Sequence, residues 1–432
     1  MPNLAPDSPL PAAHRLPPEL LAHILLEVEP GPRPHGLCAE ERPLWHLAHV
    51  CRYWRACAFA TPALWTHIRV LHCAEMPAMR SAPVERLRMQ YRLAGTRALS
   101  VDLTAWEPLE DIAAAWQEAF LGACHRWGRL RLCMMLMTTT CRDPCAFLHA
   151  VMDRMHALQV LELDVEYRET LALRVAPRLH TVIVTDVLCS QPSPRLLIDW
   201  SRVTCYRGVY TLHDQIQILA AAPDLVDCAL GFCERPLDAA AAAAPQSDPP
   251  LVTLGVLRRL HIARKCQFLQ YIVAPNLQEL LITGTIDIAS LAAFVQSSGC
   301  ADSLTRVVLD RTPNLSPVAL SSVFRIAPSL RSLRICIPCG ATHPRDLLLA
   351  AISDPLSALD SLAFVAESWT PEMVDGVLGI VEGARAAVPR LPQIRLHSRR
   401  SSVRGIGPAN GRLGRFTEHV RFEHQEDCGV RI

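Results

Sequence analysis

The sequence predicts an α/β protein in which three short N-terminal helices precede a long array of strand-plus-helix repeats. Three observations carry this prediction: apolar residues at helical spacing near the N-terminus, an apolar triplet that returns about every 27 residues, and helical faces between the triplets. The 432 residues are 50% hydrophobic and 20% charged, which excludes a disordered chain and supplies apolar side chains for a large core.

The N-terminal segment 16–65 reads as three short helices after a Pro/Ala-rich stretch, residues 1–15, that we expect to be flexible. Pro17 and Pro18 lie where a first helical turn tolerates proline. The apolar residues at helical spacing are Leu20, Leu21, Ile24, Leu25 and Val28, then Leu44, Leu47, Val50 and Cys51, followed by Tyr53, Trp54 and Phe59. Three short helices make a small core, so this segment needs the rest of the chain or a partner.

Beyond Trp65 the sequence repeats a unit in which an apolar anchor is followed by apolar residues three and five positions later. Clear copies are Leu158-Leu161-Leu163, Leu179-Val182-Val184, Leu257-Leu260-Ile262, Leu277-Leu280-Ile282, Leu304-Val307-Leu309, Leu330-Leu333-Ile335, Leu359-Leu362-Phe364 and Leu391-Ile394-Leu396. Weaker copies are Trp65-Ile68-Val70, Ala98-Val101-Leu103, Trp127-Leu130-Leu132, Trp200-Val203-Cys205 and Leu225-Cys228-Leu230. This spacing is typical of a leucine-rich repeat.

Segments between the triplets indicate helices. Val374, Val377, Leu378 and Val381 form one helical face, and Asp143-Pro144, Ser316-Pro317 and Thr370-Pro371 have the cap-then-proline pattern of a helix start. Parallel strands joined by helices stack into a solenoid with strands on the concave side and helices on the convex side. The predicted fold is therefore α/β, with an irregular leucine-rich-repeat solenoid after the three helices.

The predicted domains are a 16–65 helical domain and a 66–432 solenoid, with loop insertions near 238–250 and 398–415 before a last strand near Val420 and Phe422. The repeats vary in length, and the Asn or Cys expected eight positions after an anchor occurs clearly only at Cys233, so the array should be irregular. An eight-fold α/β barrel is the competing architecture, although thirteen anchors are too many for eight strands.

The sequence shows no sign of catalytic, cofactor or metal chemistry. We find no nucleophile elbow, phosphate-binding loop or zinc-protease motif. Cys336 and Cys339, with His343 behind them, lack a second cysteine pair for zinc, so Cys336 reads as a buried thiol. His46 and His49 read as surface or satisfied core residues. Forty-three basic against 42 acidic residues argue against a nucleic-acid binder, and the chain has neither a signal peptide nor an apolar run for a membrane.

The N-terminal blocks resemble the F-box. They are Leu16-Pro17-Pro18-Glu19-Leu20-Leu21, then Val50-Cys51-Arg52-Tyr53-Trp54-Arg55, then Pro62-Ala63-Leu64-Trp65, in the family's order. The long gap around residues 31–43, and downstream blocks such as Ala274-Pro275-Asn276-Leu277, are similar to the F-box-like proteins of mushroom-forming fungi.

This resemblance implies the substrate receptor of a Skp–cullin–F-box (SCF) ubiquitin ligase, acting in the cytoplasm, the nucleus or both. The residues implied to face the Skp-type adaptor are Leu16, Pro17, Leu20, Ile24, Leu25, Val50 and Trp54. The repeats would hold an unknown target protein through strand residues such as Gln278, Glu279, Arg331, Ser332 and Arg334. Alternatively, the helices only cap the array, which then serves as an interaction scaffold; a barrel enzyme is a third class.

Overall fold

The computed structural model describes residues 16–28, 43–72, 82–105, 114–134, 151–165, 170–172, 176–185, 195–232, 250–263, 266–284, 287–310, 316–337, 344–353, 359–366, 371–385, 392–398 and 420–424. The predicted flexible N-terminus, Cys233, Asp143-Pro144 and almost all of the predicted loops 238–250 and 398–415 lie outside these ranges. The chain divides into two compact units. Unit 1 comprises 1–179 and 193–199, and unit 2 comprises 180–192 and 200–432.

The described part of the chain contains ten α-helices and eighteen strands. The helices are α1 Pro18–Val28, α2 Pro43–Val50, α3 Arg52–Phe59, α4 Ala82–Leu93, α5 Ala114–Ala123, α6 Leu212–Ala221, α7 Ile288–Ser298, α8 Pro317–Ile326, α9 Pro344–Ser353 and α10 Pro371–Arg385. The strands are β1 His67–His72, β2 Leu99–Ala105, β3 Trp127–Met134, β4 Val160–Val165, β5 Thr170–Ala172, β6 Thr181–Thr185, β7 Arg195–Leu197, β8 Cys205–Tyr210, β9 Asp227–Phe232, β10 Val252–Thr253, β11 Arg259–Ala263, β12 Ile272–Val273, β13 Glu279–Thr283, β14 Arg306–Asp310, β15 Ser332–Ile337, β16 Ser361–Ala366, β17 Gln393–Ser398 and β18 Val420–His424.

Unit 1 contains the three N-terminal helices and a parallel sheet of β1, β2, β3 and β4 in chain order. The predicted triplets from Trp127 and Leu158 point into its core. The predicted anchor Ala98 is wrong, because its side chain is exposed and Leu99 is buried instead. Leu99 pairs with Trp127, and a register shift follows at once between Leu99 and Ser100. This β-bulge moves the anchor by one residue.

Unit 2 contains ten described strands of one parallel sheet, again in chain order: β6, β8, β9, β11, β13, β14, β15, β16, β17 and β18. The triplets pair in register, so that Leu280, Val307 and Leu333 are successive partners. The predicted last strand is confirmed, because Val420 and Phe422 pair with Ile394 and Leu396. Ten strands in chain order do not match the eight of the alternative barrel.

The strand β8 carries a different triplet from the predicted Trp200-Val203-Cys205. Trp200 and Cys205 are half-buried, whereas Val203, Tyr206 and Gly208 occupy the anchor and the two inward positions. A methyl group at Gly208 would collide with the Tyr206 hydroxyl, so glycine makes room for the large ring. An apolar pattern misses this copy because tyrosine and glycine replace the usual pair of aliphatic residues.

Helix starts in unit 2 follow the predicted chemistry. The Ser316 hydroxyl accepts a hydrogen bond from Ala319 N at 3.2 Å, and Pro317 takes the first helical position of α8. The face of α10 predicted from Val374, Val377, Leu378 and Val381 is buried. At the end of α7, Gly299 has φ +64°, a left-handed cap that glycine adopts without steric cost.

Candidate functional site

The helix α1 presents apolar side chains on two sides. Leu21 is fully buried and Leu25 is 1% exposed, whereas Leu20 and Ile24 are 53% and 43% exposed. Both pairs have the i, i+4 spacing that places residues on one helical face. Because one pair fills the core, the other remains as an apolar ridge on the surface.

The other adaptor-facing candidates lie at different depths. Pro17 is exposed, and Val50, the last residue of α2, is 59% exposed. Leu16 and Trp54 are half-buried, and the Trp54 Nε1 atom lacks a hydrogen-bond partner in the described part of the chain. Leu25 is not available at this surface, because it shares the inner face of α1 with Leu21. Its role toward an adaptor stays a prediction.

Backbone-directed hydrogen bonds hold the three helices together. The Tyr53 hydroxyl donates to the Leu16 carbonyl, which ties α3 to the start of α1. Arg55 Nε donates to the Ala48 carbonyl at 3.0 Å, and Cys51 Sγ accepts from Trp54 N at 3.4 Å at the start of α3. These bonds fix the chain that leads from Val50 to Trp54 relative to α1.

Trp65 joins the helices to the first strand. Its buried indole donates from Nε1 to the Ala58 carbonyl at 2.8 Å and makes edge-to-face contacts with Trp45 and Phe59, at centroid distances of 4.9 and 5.6 Å. The Gln90 amide on α4 then donates to the His67 carbonyl at 2.8 Å and to the Trp65 carbonyl at 3.4 Å. The three helices and β1 are therefore packed as parts of one unit.

Arg86 strengthens the same junction from α4. Its guanidinium carbon lies 5.5 Å from the centroid of the Trp45 ring, within the range of a cation–π contact. Sequence patterns did not reveal either Arg86 or Gln90, because their partners are separated from them by twenty residues or more along the chain. Once the fold is known, the burial of the Gln90 amide draws attention to Gln90, since a buried amide must find hydrogen-bond partners.

The predicted target-facing residues lie on or beside the outward face of the sheet in unit 2. Gln278 and Arg331 are exposed just before β13 and β15, and Glu279, Ser332 and Arg334 are half-buried on these strands. Glu279 Oε1 lies 3.7 Å from Arg306 Nη1 on the next strand. One charge on this face is thus already paired within the sheet.

The described residues hold no cluster of three metal-ligating side chains. Cys336 is buried in β15, whereas Cys339 and His343 lie outside the described ranges. His46 and His49 are exposed on α2, as expected for surface residues. Within the described ranges, every helix falls short of the length and apolar character that a membrane span requires.

His261 is a buried histidine on β11. Its Nε2 lies 2.9 Å from Thr283 Oγ1, and Nδ1 is buried without a partner among the described residues. Burial first, and the positive charge of Arg207 second, lower the pKa of His261 to about 4, while the carboxylate of Asp310 opposes the shift. The ring is therefore neutral at neutral pH.

We expect unit 2 to lose stability as the pH falls below the ordinary histidine pKa of about 6.5. Between that value and about 4 the unfolded chain binds the proton and the folded chain does not, so the free energy of unfolding falls with decreasing pH. The expected loss from pH 7 to pH 5 is about 2 kcal/mol, measured by urea unfolding at both values. His261→Gln, which keeps a partner for Thr283 but does not titrate, should lose less. Equal losses in both proteins would contradict this assignment.

A comparison with known families agrees with the geometry of the N-terminal segment. A family model described as F-box-like matches residues 13–70, which include α1, α2, α3, Trp65 and the start of β1. A search of curated proteins finds no match. F-box domains generally bind Skp-type adaptors, and such a domain suggests a ubiquitin-ligase adaptor role in general. Residues 13–70 of this chain therefore form an F-box-like domain.

Proposed function

We propose that this protein is the substrate-recognition subunit of an SCF-type E3 ubiquitin ligase. The F-box-like domain docks on a Skp-type adaptor, and through it on a cullin, while the strand-and-helix array binds a target protein. The observation that carries the proposal is the apolar ridge of Leu20 and Ile24, exposed together with Val50 on a domain of this family. An exposed apolar helix face of this kind suits docking into a partner groove.

In this function the chain supplies no catalytic group. It holds the target near a ubiquitin-loaded enzyme elsewhere in the complex, and so raises the effective concentration of the two reactants. The parallel strands in chain order support an array of the leucine-rich-repeat type. The proposal includes that this protein is of the F-box-like type abundant in mushroom-forming fungi and that it acts in the cytoplasm, the nucleus or both.

Replacing Leu20 and Ile24 together by glutamate should weaken adaptor binding at least about 100-fold, because two apolar contacts become buried charges. The measurement is affinity of the purified full-length chain for a Skp-type adaptor, with co-purification from cells as a second readout. Both side chains point outward, so the fold should survive.

The matched control is Val318→Glu with Leu349→Glu on α8 and α9, which changes two apolar residues with 77% and 51% exposure in unit 2. This control should bind the adaptor as the unchanged protein does. Unchanged binding by the Leu20/Ile24 variant would contradict the proposal.

The second candidate is an interaction scaffold that does not act in ubiquitination. The contacts of Trp65 and Gln90 with the first strand favour it, because they suit helices that cap the end of a repeat array. A stable partner other than an adaptor or cullin, purified with the unchanged protein in place of them, would support the scaffold.

A further inference from the structure

The strand register of unit 2 arranges the outward-facing side chains in rows that run across the strands. The row nearest the strand starts, which we name the front row, consists of Thr181, Cys205, Asp227, Arg259, Glu279, Arg306, Ser332, Ser361 and Gln393. Between β6 and β17 the next row, which we name the middle row, consists of Ile183, Arg207, Ala229, His261, Leu281, Val308, Arg334, Ala363 and Arg395.

Charges in the front row neutralise one another. Arg259 Nη2 lies 2.9 Å from Asp227 Oδ2, and Arg306 Nη1 lies 3.7 Å from Glu279 Oε1. Each pair joins neighbouring strands, and the row has no further charged residue. The front row therefore has no net charge to offer a ligand.

The middle row has three arginines and no acidic residue. Arg207 and Arg395 are half-buried, and no carboxylate in the described ranges makes an ion pair with either. Arg395 donates from Nε and Nη2 to Gln393 Oε1, at 3.2 and 2.9 Å, and Arg207 Nε is buried without a hydrogen-bond partner there. These partly desolvated cations interact with an anion more strongly than fully solvated ones would.

Each of these two arginines has an alanine as its register partner on one neighbouring strand. Ala229 is the register partner of Arg207 on β9, and Ala363 is the partner of Arg395 on β16. Both alanines are buried and bring no charge beside the arginines, while the half-buried Leu281 and Val308 give the centre of the row an apolar floor. Seven strand spacings of about 4.8 Å separate the two arginines along the sheet, a path that about ten extended residues span.

The outward face of unit 1 shows that such a row need not be basic. Its corresponding residues are Arg69, Asp102, Arg131 and Glu162, which alternate in sign across β1 to β4. Arg69 Nε lies 3.5 Å from Asp102 Oδ2, and Arg131 Nε lies 4.0 Å from Glu162 Oε2. The excess of positive charge is thus a property of the middle row of unit 2.

We propose that the middle row of unit 2 binds an extended, acidic segment of a protein through aspartate and glutamate carboxylates. The arginines pair with the carboxylates, and the apolar floor accepts the intervening side chains. This inference rests on the proposed function in that the segment belongs to the target.

The test uses the full-length chain and a fluorescein-labelled twelve-residue peptide of alternating glutamate and alanine, with binding followed by fluorescence anisotropy. Arg207→Gln with Arg395→Gln should weaken binding about tenfold, and binding should decrease steeply with added salt. Arg207→Lys with Arg395→Lys, which keeps both charges, should retain most of the affinity and guards against misfolding as the cause.

Two controls distinguish an effect of the middle row on peptide binding from an effect of the total charge of the protein. Arg325→Gln, on α8 of the same unit, removes one exposed positive charge and should leave binding within about twofold. Asp227→Asn with Arg259→Gln removes a front-row pair without changing the net charge and should also leave it unchanged. The single variants Arg207→Gln and Arg395→Gln are measured beside Arg325→Gln. An equal loss of affinity in Arg325→Gln and in these single variants, or equal binding of a peptide with glutamine for glutamate, would overturn the inference. Tighter binding of an oligouridine of the same charge would also overturn it, because nucleic acid would then be the better ligand.

Adaptor binding, measured on the same proteins, separates the two proposals. All of these variants should bind the adaptor like the unchanged chain, because their substitutions lie outside residues 13–70. If the adaptor binds but the acidic peptide does not, the inference about the middle row fails alone. If the peptide binds but the adaptor does not, the proposed function fails and the peptide site stands as a property of a scaffold.

Discussion

Replacing Trp65 with alanine is expected to lower the free energy of unfolding of unit 1 by about 3 to 5 kcal/mol, the range for truncation of a buried tryptophan. The indole is fully buried, and removing it leaves a cavity lined by the rings of Trp45 and Phe59. The Ala58 carbonyl also loses its hydrogen bond from Nε1. Urea unfolding reports the loss, and hydrogen exchange in peptides covering residues 52–72 locates it.

The conservative variant Trp65→Phe separates packing from hydrogen bonding. It keeps an aromatic ring between Trp45 and Phe59 and removes the donor to Ala58, so it should cost about 1 to 2 kcal/mol. Exchange rates in peptides from unit 2 should stay close to those of the unchanged protein in both variants. Faster exchange there but not in residues 52–72 would contradict the role assigned to Trp65.

Replacing Gln215 with leucine should destabilise unit 2 by about 3 kcal/mol, because three buried hydrogen bonds meet at this side chain. The Gln215 amide donates to the Gly208 and Gly231 carbonyls, both at 2.9 Å, and so bridges β8 and β9 from α6. Its Oε1 accepts from the Tyr206 hydroxyl at 2.9 Å. Burial raises the pKa of Tyr206 far above its ordinary value, so that hydroxyl stays protonated and needs an acceptor.

A double-mutant cycle tests this account. Tyr206→Phe removes the hydroxyl that Gln215→Leu would leave without an acceptor, so the double variant should be more stable than the sum of the single losses predicts. Gln217→Leu on the same helix is the matched control, because Gln217 is exposed and its side-chain nitrogen lies 2.8 Å from Nε2 of the exposed His213. It should change stability by less than about 0.5 kcal/mol. Strictly additive losses would show that Tyr206 and Gln215 act independently.

The repeat could be predicted because inward positions demand apolar side chains, and this demand is visible along the chain. The prediction of the triplet positions was wrong where something other than an aliphatic side chain at the expected position fills the core. At Leu99 a bulge supplies the anchor one residue late, and in β8 a large ring above a glycine replaces two aliphatic residues. Tyr206 is acceptable in the core only because Gln215 satisfies its hydroxyl, a relation that apolar periodicity does not encode.

The residues of the two candidate surfaces could be predicted only in part, because side-chain exposure and strand register are not visible in the sequence. The sequence located α1 and its apolar residues, but spacing alone did not separate the exposed Ile24 from the buried Leu25, because adjacent residues lie on neighbouring parts of a helix. The middle row was hidden for a related reason. If the anchor of β8 is placed at Trp200, Arg207 does not occupy the same repeat position as Arg334 and Arg395. Only the strand register shows that the three arginines belong to one row. Ion pairs such as Asp227 with Arg259 likewise need the strand pairing.

The constant register of unit 2 has an evolutionary consequence. From β13 to β17 the successive partners Ile282, Leu309, Ile335, Phe364 and Leu396 occupy the same position of their triplets. A duplication or deletion that begins at one anchor and ends just before another therefore preserves which face each remaining side chain occupies. Recombination between repeats can lengthen, shorten or shuffle the row of exposed residues while the buried contacts keep their pattern. Under the proposed function, target specificity can thus change by gain or loss of whole repeats as well as by point substitution.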